Sequence, residues 1–205
     1  MEYIDAPQLS ASMTGDEMTQ RGIFGEMGGM LRNMHAFTAE GYGPFRNGRG
    51  RYGTFREWLA SRRERISYVK EKQFLTGKHG SIDGACDTLE QYAAGQQSVY
   101  CHYDFSTDHV FDTKPLTVFD PEPSALPPLL DVARSILMIG RTNVSVDLDR
   151  AADQFIDGYA GSGHAFDQEA FRAAILLQAY IKFRFWDQTN RQESIDRVRN
   201  YLETM

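Results

Sequence analysis

Apolar residues recur at helical spacing over most of the chain, and this pattern predicts a mostly helical protein. In the stretch Thr14–Phe37, Ile23, Met27, Leu31 and Met34 lie on one side of the predicted helix. Further helices are predicted at Phe55–Phe74, Ile82–Ala94, Pro128–Ile139, Leu148–Tyr159, Asp167–Trp186 and Gln192–Leu202. Thr14 or Asp16 caps the first helix, Thr54 caps the second, and Gly95 suits a left-handed cap at the end of the third.

Two brief apolar runs break the helical pattern. Ser98–Cys101 and Leu116–Phe119 are each bounded by polar clusters, which is typical of short buried strands. Gly41–Gly53 is rich in glycine and arginine and is predicted to be a surface loop that joins two helices. The predicted fold class is therefore α+β, predominantly helical, with a few short strands.

The candidate chemistry follows the two predicted strands. His102-Tyr103-Asp104 ends the first strand, Asp120-Pro121-Glu122 ends the second, and His109 lies five residues beyond Asp104. Phosphoryl transfer needs one carboxylate to orient the attacking hydroxyl and further ligands for magnesium. This order and spacing indicate such a site, although aspartates at strand ends also simply cap turns.

These residues resemble the aminoglycoside phosphotransferase family, a small-molecule branch of the protein-kinase-like fold. The family pattern is H-G-D-x-x-x-x-N, an Asp turn and D-L-A on a helix, and this chain has H-Y-D-F-S-T-D-H, F-D-P-E and D-V-A. The resemblance implies that Asp104 is the catalytic carboxylate and that Asp120 is the main magnesium ligand. It also implies that His102 and Asp131 support the catalytic loop, and that the cofactors are Mg²⁺ and ATP (or GTP).

The chain departs from the family pattern at two positions. Tyr103 replaces the glycine after the histidine, and His109 replaces the metal-binding asparagine. The macrolide phosphotransferase branch is similar to this chain in carrying a histidine there, so the resemblance implies His109 as a second metal ligand. Because magnesium prefers oxygen ligands, we expect Asp120 to dominate the metal affinity.

The first residues, M-E-Y-I-D-A-P-Q-L, resemble the hinge of the same family. The resemblance implies that the carbonyl of Glu2 and the amide of Ile4 contact the adenine of the nucleotide. The alternative is an unpaired terminus, as chain ends often are. With a hinge at 1–9, residues 10–205 are expected to be one domain, the carboxy-terminal catalytic and substrate lobe, without the amino-terminal nucleotide lobe. A shortened chain, half of a two-chain enzyme and a relative with a new role all remain open.

Composition and charge limit the binding partners and the cellular compartment that we expect for the protein. The 205 residues carry a net charge of −6, which argues against nucleic acid and is compatible with a cationic substrate. Cys86 and Cys101 do not make a disulfide framework. No apolar run approaches the roughly 18 residues of a membrane span. The acidic start lacks the cationic region of a signal peptide, so we expect a cytoplasmic protein without a membrane partner.

The function implied by the resemblance is ATP-dependent phosphorylation of a small-molecule hydroxyl. An aminoglycoside or a related antibiotic is the first substrate class, and choline, homoserine and macrolide hydroxyls stay open. Among the acids that could meet a substrate, Glu122 is chosen because it follows the metal-binding aspartate. The alternative function is a non-catalytic binding or regulatory module derived from a kinase lobe. A homodimer covering the face left by an absent amino lobe is also expected.

Overall fold

The computed structural model describes residues 4–75, 80–142, 145–161 and 167–205, which form ten α-helices and six short strands. The helices are α1 Leu9–Ser12, α2 Gly15–Gln20, α3 Ile23–Met34, α4 Phe55–Ala60, α5 Arg63–Lys72, α6 Ile82–Ala94, α7 Pro128–Thr142, α8 Leu148–Ala160, α9 Gln168–Gln188 and α10 Gln192–Thr204. The strands are β1 Tyr42–Arg46, β2 Arg49–Tyr52, β3 Val99–Cys101, β4 Val110–Phe111, β5 Thr117–Val118 and β6 Ser124–Leu126. The predominantly helical fold class is confirmed.

The helix starts follow the predicted caps. The hydroxyl oxygens of Thr14 and Thr54 each accept the backbone N–H three residues later, and a glutamate side chain returns the bond in both cases. The two long helices that begin there are each divided, however. Gly22 has φ 70° between α2 and α3, and α4 ends at Ser61 before α5 begins. The prediction of a left-handed Gly95 was wrong, since its φ is −96°.

The predicted loop Gly41–Gly53 is instead a β-hairpin, and that prediction was wrong. β1 and β2 pair antiparallel, with Arg46 opposite Arg49. The two residues between them, Asn47 and Gly48, both have positive φ (51° and 81°), as the tightest hairpin turns require. The Asn-Gly pair was therefore the signal for a hairpin.

Two antiparallel sheets hold the loops that follow the strands. The larger has the order β2-β1-β6-β3, and the smaller pairs β4 with β5. Through this order β3 delivers His102 at one sheet edge, while β5 ends just before Asp120. The amino-terminal segment reaches the small sheet as well, because the N–H of Asp112 donates to the carbonyl of Pro7 at 2.9 Å.

A single hydrophobic core joins the described elements, from Leu9 in α1 to Tyr201 in α10. Its tightest helix contact is between α3 and α8. A Cβ added to Gly28 would lie 2.1 Å from the carbonyl oxygen of Phe155, and one added to Gly158 would lie 2.0 Å from that of Gly25. The two backbones are therefore in direct contact. None of the described helices combines the length and the apolar character that a membrane crossing demands.

Candidate active site

Asp131, at the first turn of α7, holds the loop that follows β3. One carboxylate oxygen accepts the backbone N–H of His102 and the other that of Tyr103, both at 2.9 Å. Asp131 is fully buried, so these charge-assisted bonds are protected from water. Tyr103 has φ 61°, a left-handed conformation that costs a non-glycine residue about 1 kcal/mol or more. The backbone thus has the left-handed conformation that the glycine of the family pattern implies, although the residue here is a tyrosine.

His35, at the end of α3, completes this support, which we call the buried brace: His35, Asp131 and the amides of His102 and Tyr103. Nε2 of His35 donates to Asp131 at 3.2 Å, and in the neutral ring Nδ1 accepts from the hydroxyl of Tyr159 at 2.8 Å. The Cys101 thiol lies close to the same carboxylate, and its burial raises its pKa well above the usual value. A protonated thiol and an already occupied carboxylate make a poor metal site.

His102 ties the loop to the segment that carries Asp120. Its Nε2–H donates to the carbonyl of Phe119 at 3.0 Å, and its Nδ1 accepts the amide of Asp104 at 3.3 Å. Burial lowers the pKa of His102, which favours the neutral ring that these two bonds need. In addition, the amide of Glu122 donates to the carbonyl of His102 at 2.9 Å. Asp120 therefore lies between two residues that are bonded to the loop.

Asp120 itself is exposed and has φ 53°. Within the described part of the chain, its carboxylate has no hydrogen-bond or ion-pair partner. An aspartate tolerates the left-handed conformation better than most residues do. The turn thus presents a free carboxylate beside the loop.

His109 is oriented by the main chain of Asp104. Its Nδ1–H donates to the Asp104 carbonyl at 2.5 Å, and the same nitrogen is 3.7 Å from the Asp104 carboxylate. This bond leaves the lone pair on Nε2, for which the described residues provide no partner. A histidine whose second nitrogen is fixed in this way is suited to metal ligation. The donor set of Asp120 and His109 therefore fits a divalent cation, with Asp120 supplying the oxygen that magnesium prefers.

Asp104 is partly accessible, with its side chain 28% exposed. Its second carboxylate oxygen is 3.9 Å from Nζ of Lys182, in the middle of α9. Burial, and then the charge of Arg134, lower the pKa of Lys182 to about 7. Lys182 was missed from the sequence. The available signal was one lysine directly after the most apolar part of a predicted helix, in A-Y-I-K-F.

The remaining predicted site residues are more scattered. The carboxylate of Glu122 accepts from Arg134 at 2.9 Å, so its charge is already compensated. Ile4 is half-buried near the start of the chain, and Glu2 lies outside the described residues. A cavity of about 510 Å³ lies elsewhere, between α5 and α6, and the ion pair of Lys70 and Asp83 spans its wall. It contains none of the predicted residues.

The helical fold, the small sheets and the braced H-x-D loop define a kinase-like phosphotransferase. The chain belongs to the Phosphotransferase enzyme family, which it matches over residues 1–174. It is similar to a thermostable mutant of aminoglycoside phosphotransferase APH(4)-Ia in its apo form, with a TM-score of 0.65 and 16% identity over 99% of this chain and 71% of that one.

Two structures of similar fold contain bound ligands. A ternary complex of a thermostable APH(4)-Ia mutant with AMP-PNP and hygromycin B has a TM-score of 0.62 and 16% identity, over 98% of this chain and 70% of that one. Glucosamine kinase with glucosamine, ADP and phosphate has a TM-score of 0.61 and 13% identity, over 100% of this chain and 59% of that one. The comparison with curated proteins gives no match.

Proposed function

We propose that this chain carries the catalytic and acceptor-binding residues of an ATP-dependent phosphotransferase that acts on a small-molecule hydroxyl. The observation that carries the proposal is the position of Asp104. Its loop is held rigidly by the buried brace, yet its carboxylate stays accessible, with His109 on one side and the Asp120 turn bonded to the same loop.

Each residue has a defined part in this reaction. Asp104 accepts a hydrogen bond from the acceptor hydroxyl, aligns it for attack and takes its proton as the new P–O bond forms, while the bond from the γ-phosphorus to the bridging oxygen of ATP breaks and ADP leaves. Asp120 and His109 hold magnesium, which when bound neutralises charge on the nucleotide phosphates. His102 and Asp131 act through the backbone, because they fix where the Asp104 carboxylate points. Positioning and electrostatics thus supply most of the rate enhancement.

The ligands of the similar structures, glucosamine and hygromycin B, make sugar hydroxyls the first class of acceptor to test. The assignment of Glu2 and Ile4 as residues that contact the adenine also belongs to this proposal. A cytoplasmic setting, where ATP is abundant, is also proposed. The second candidate, a non-catalytic module, is favoured only by the imidazole of His109 where an oxygen ligand would suit magnesium better.

The first test is the thermal stability of the purified chain with and without magnesium and AMP-PNP. A ligand that binds only the folded state stabilises it by about 2.7 kcal/mol at 100 times its dissociation constant. We expect a magnesium-dependent rise in the unfolding temperature that Asp120→Asn abolishes. An equal rise in wild type and Asp120→Asn would reject the metal assignment.

The second test separates catalysis from binding. Asp104→Asn should keep the nucleotide-dependent stabilisation, because the loop and the Asp120 turn are unchanged. Phosphorylation of an accepted hydroxyl should fall by about 10²–10⁴-fold, the usual contribution of a general base. Failure of the wild-type chain to turn over ATP with any acceptor would favour the non-catalytic module.

A further inference from the structure

Cationic side chains from three helices lie around the loop that carries Tyr103 and Asp104: Lys182 is 3.9 Å from Asp104, Arg134 packs on the Tyr103 ring and pairs with Glu122, and the charges of Tyr103, Arg134 and Glu122 act on Arg65. We call them the cationic cluster: Arg65 of α5, Arg134 and Arg141 of α7, and Lys182 of α9. Each is close enough to another member for its charge to act there. Burial is the main reason for the lowered pKa of Lys182, and Arg134 and Arg141 add to it. Burial, Arg62 and Arg134 lower the pKa of Arg65 in the same way.

The acids around the cluster form direct hydrogen bonds with Arg134 and Arg141 but not with Lys182 or Arg65. Glu122 accepts from Arg134 at 2.9 Å, and Asp108 accepts from Arg141 at 3.1 Å. Lys182 is 3.9 Å from Asp104, which is too long for a direct hydrogen bond.

The side chain of Arg65 reaches solvent although neighbouring atoms partly cover it. Within the described ranges it makes no hydrogen bond or ion pair, and the charge of Glu122 acts on it from farther away. Both Lys182 and Arg65 therefore keep donors for a further acceptor.

Buried hydrogen-bond donors at the cluster support the same conclusion. The guanidinium of Arg134 lies 3.8 Å from the centre of the Tyr103 ring, and only 4% of its side chain is exposed. Its Nε and the hydroxyl of Tyr103 are buried, and neither has a hydrogen-bond partner among the described residues. Buried donors without a partner are costly, so these two can donate to an acceptor oxygen that binds at the cluster.

Lys182 of the cluster and His109 of the proposed metal ligands lie against different oxygens of Asp104. Oδ2 faces His109 at 3.7 Å, and Oδ1 faces Lys182 at 3.9 Å. If His109 and Asp120 hold the magnesium of the nucleotide, the Lys182 side is left for the acceptor. We therefore assign an anionic group bound at the cluster to the acceptor and not to the nucleotide.

We propose that the acceptor substrate carries an acidic group, a carboxylate or a phosphate ester, near its reactive hydroxyl, and that Lys182 and Arg65 bind this group. The inference rests on the proposed function, because it takes Asp104 as the residue that meets the acceptor hydroxyl. A guanidinium binds either kind of anion through two parallel hydrogen bonds. The same cluster repels an ammonium group, so polycationic aminoglycosides fit this site poorly.

Four sugars that share the glucose skeleton test the proposal: glucuronate, glucose 6-phosphate, glucose and glucosamine. Binding is measured by calorimetry on the purified chain at constant ionic strength, without nucleotide or magnesium. We expect the two acidic sugars to bind at least tenfold more tightly than glucose, and glucosamine more weakly than glucose. Added salt should reduce the preference.

Variants assign the preference to residues. Lys182→Met and Arg65→Met should each remove most of it. Arg63→Met is the matched control, because Arg63 is an exposed arginine of the same helix that lines the distant cavity. It should bind all four sugars as the wild type does. Since Arg65 is exposed, its variant tests the proposal even if Lys182→Met folds poorly.

Several results would overturn the proposal. These are tighter binding of glucosamine than of glucuronate, no difference among the four sugars, or an acid preference that survives in both variants. Because the measurement omits nucleotide and magnesium, it is independent of the Asp120→Asn test. An acid preference without magnesium-dependent nucleotide binding would refute the phosphotransferase and keep the anion site. The reverse result would refute only the anion site.

Discussion

Asp131 and Asp120 belong to one motif but lie in opposite surroundings. Asp131 is fully buried, and its two oxygens accept from two backbone amides and from His35. Asp120 is exposed, in a left-handed turn, with no partner for its carboxylate among the described residues. The first charge is used entirely inside the protein, and the second stays available to a ligand. Stability and the proposed ligand binding thus depend on separate carboxylates, which makes the two separable by mutation.

Replacement of the buried carboxylate should have the largest effect. Asp131→Asn removes a charge from three donors and turns an amide N–H toward one of them. We expect the free energy of unfolding to fall by about 3–5 kcal/mol, the usual cost of breaking a buried charged network. Urea denaturation monitored by circular dichroism measures it. A loss below about 1 kcal/mol would mean that the buried brace contributes little.

The helix contact behind the buried brace should be the next most sensitive. Gly158→Ala places a Cβ 2.0 Å from the carbonyl oxygen of Gly25, so α3 and α8 must separate. Overpacking of this kind costs about 1–3 kcal/mol.

Gly29→Ala is the matched control for this substitution. Its Cβ would meet nothing nearer than 3.8 Å, and alanine favours a helix by about 1 kcal/mol over glycine. Thermal unfolding should therefore show opposite signs for the two variants. The same sign for both would show that the helix contact is not tight.

Lys182 makes stability depend on pH. Its pKa is about 7 in the folded protein and about 10.4 in an unfolded chain, so above pH 7 the unfolded state binds more protons. Stability from this group therefore rises with pH, by at most about 1.4 kcal/mol per unit. Burial is the main cause of the lowered pKa; Arg134 and Arg141 lower it further, and Asp104 and Glu122 raise it.

Lys182→Met should remove this rise. The free energy of unfolding of the variant minus that of the wild type should be about 1–2 kcal/mol larger at pH 6.5 than at pH 8.5. Parallel urea titrations at the two pH values measure the difference. Lys70→Met, which removes a lysine that pairs with Asp83 at the surface, should show no such change. If the difference between Lys182→Met and wild type is the same at both pH values, the pKa of Lys182 is not lowered in the folded protein.

The smallest effect on stability is expected at Asp120. Asparagine keeps the shape of the side chain and tolerates φ 53°, so Asp120→Asn should change the free energy of unfolding by less than about 0.5 kcal/mol. The urea denaturation used for Asp131→Asn measures both aspartates under the same conditions. A loss comparable to that of Asp131→Asn would remove the distinction between them.

Local chemistry made much of the fold predictable. Threonine caps marked the starts of α2 and α4, and the boundaries of α6 follow the apolar pattern. The order of the H-x-D loop, the Asp turn and the D-x-A helix placed His102, Asp104 and Asp131 in one region, where the structure also has them.

The failures were of two kinds. At Asn47-Gly48 the signal was present but was outweighed by the glycine-rich composition around it. At Lys182 the local signal, a lysine in an apolar run, is not specific, and at Arg65 there is none, because their positions near Asp104 and Tyr103 depend on how α9 and α5 pack against the loop. A role in binding is a tertiary property, so a lysine in an apolar run cannot be distinguished from an ordinary snorkelling one. The roles of Glu2 and Ile4, and the expected homodimer, stay predictions.

The glycine contact between α3 and α8 has a consequence for how the protein can evolve. Gly28 and Gly158 meet backbone carbonyls and not side chains, so no substitution in a neighbour can make room for a Cβ there. His35 ends one of these helices and Tyr159 directly follows Gly158 in the other, so their hydrogen bond depends on that spacing. Sequence drift can change the surface around Asp104 through side chains alone. The support beneath it can change only if both helices move together.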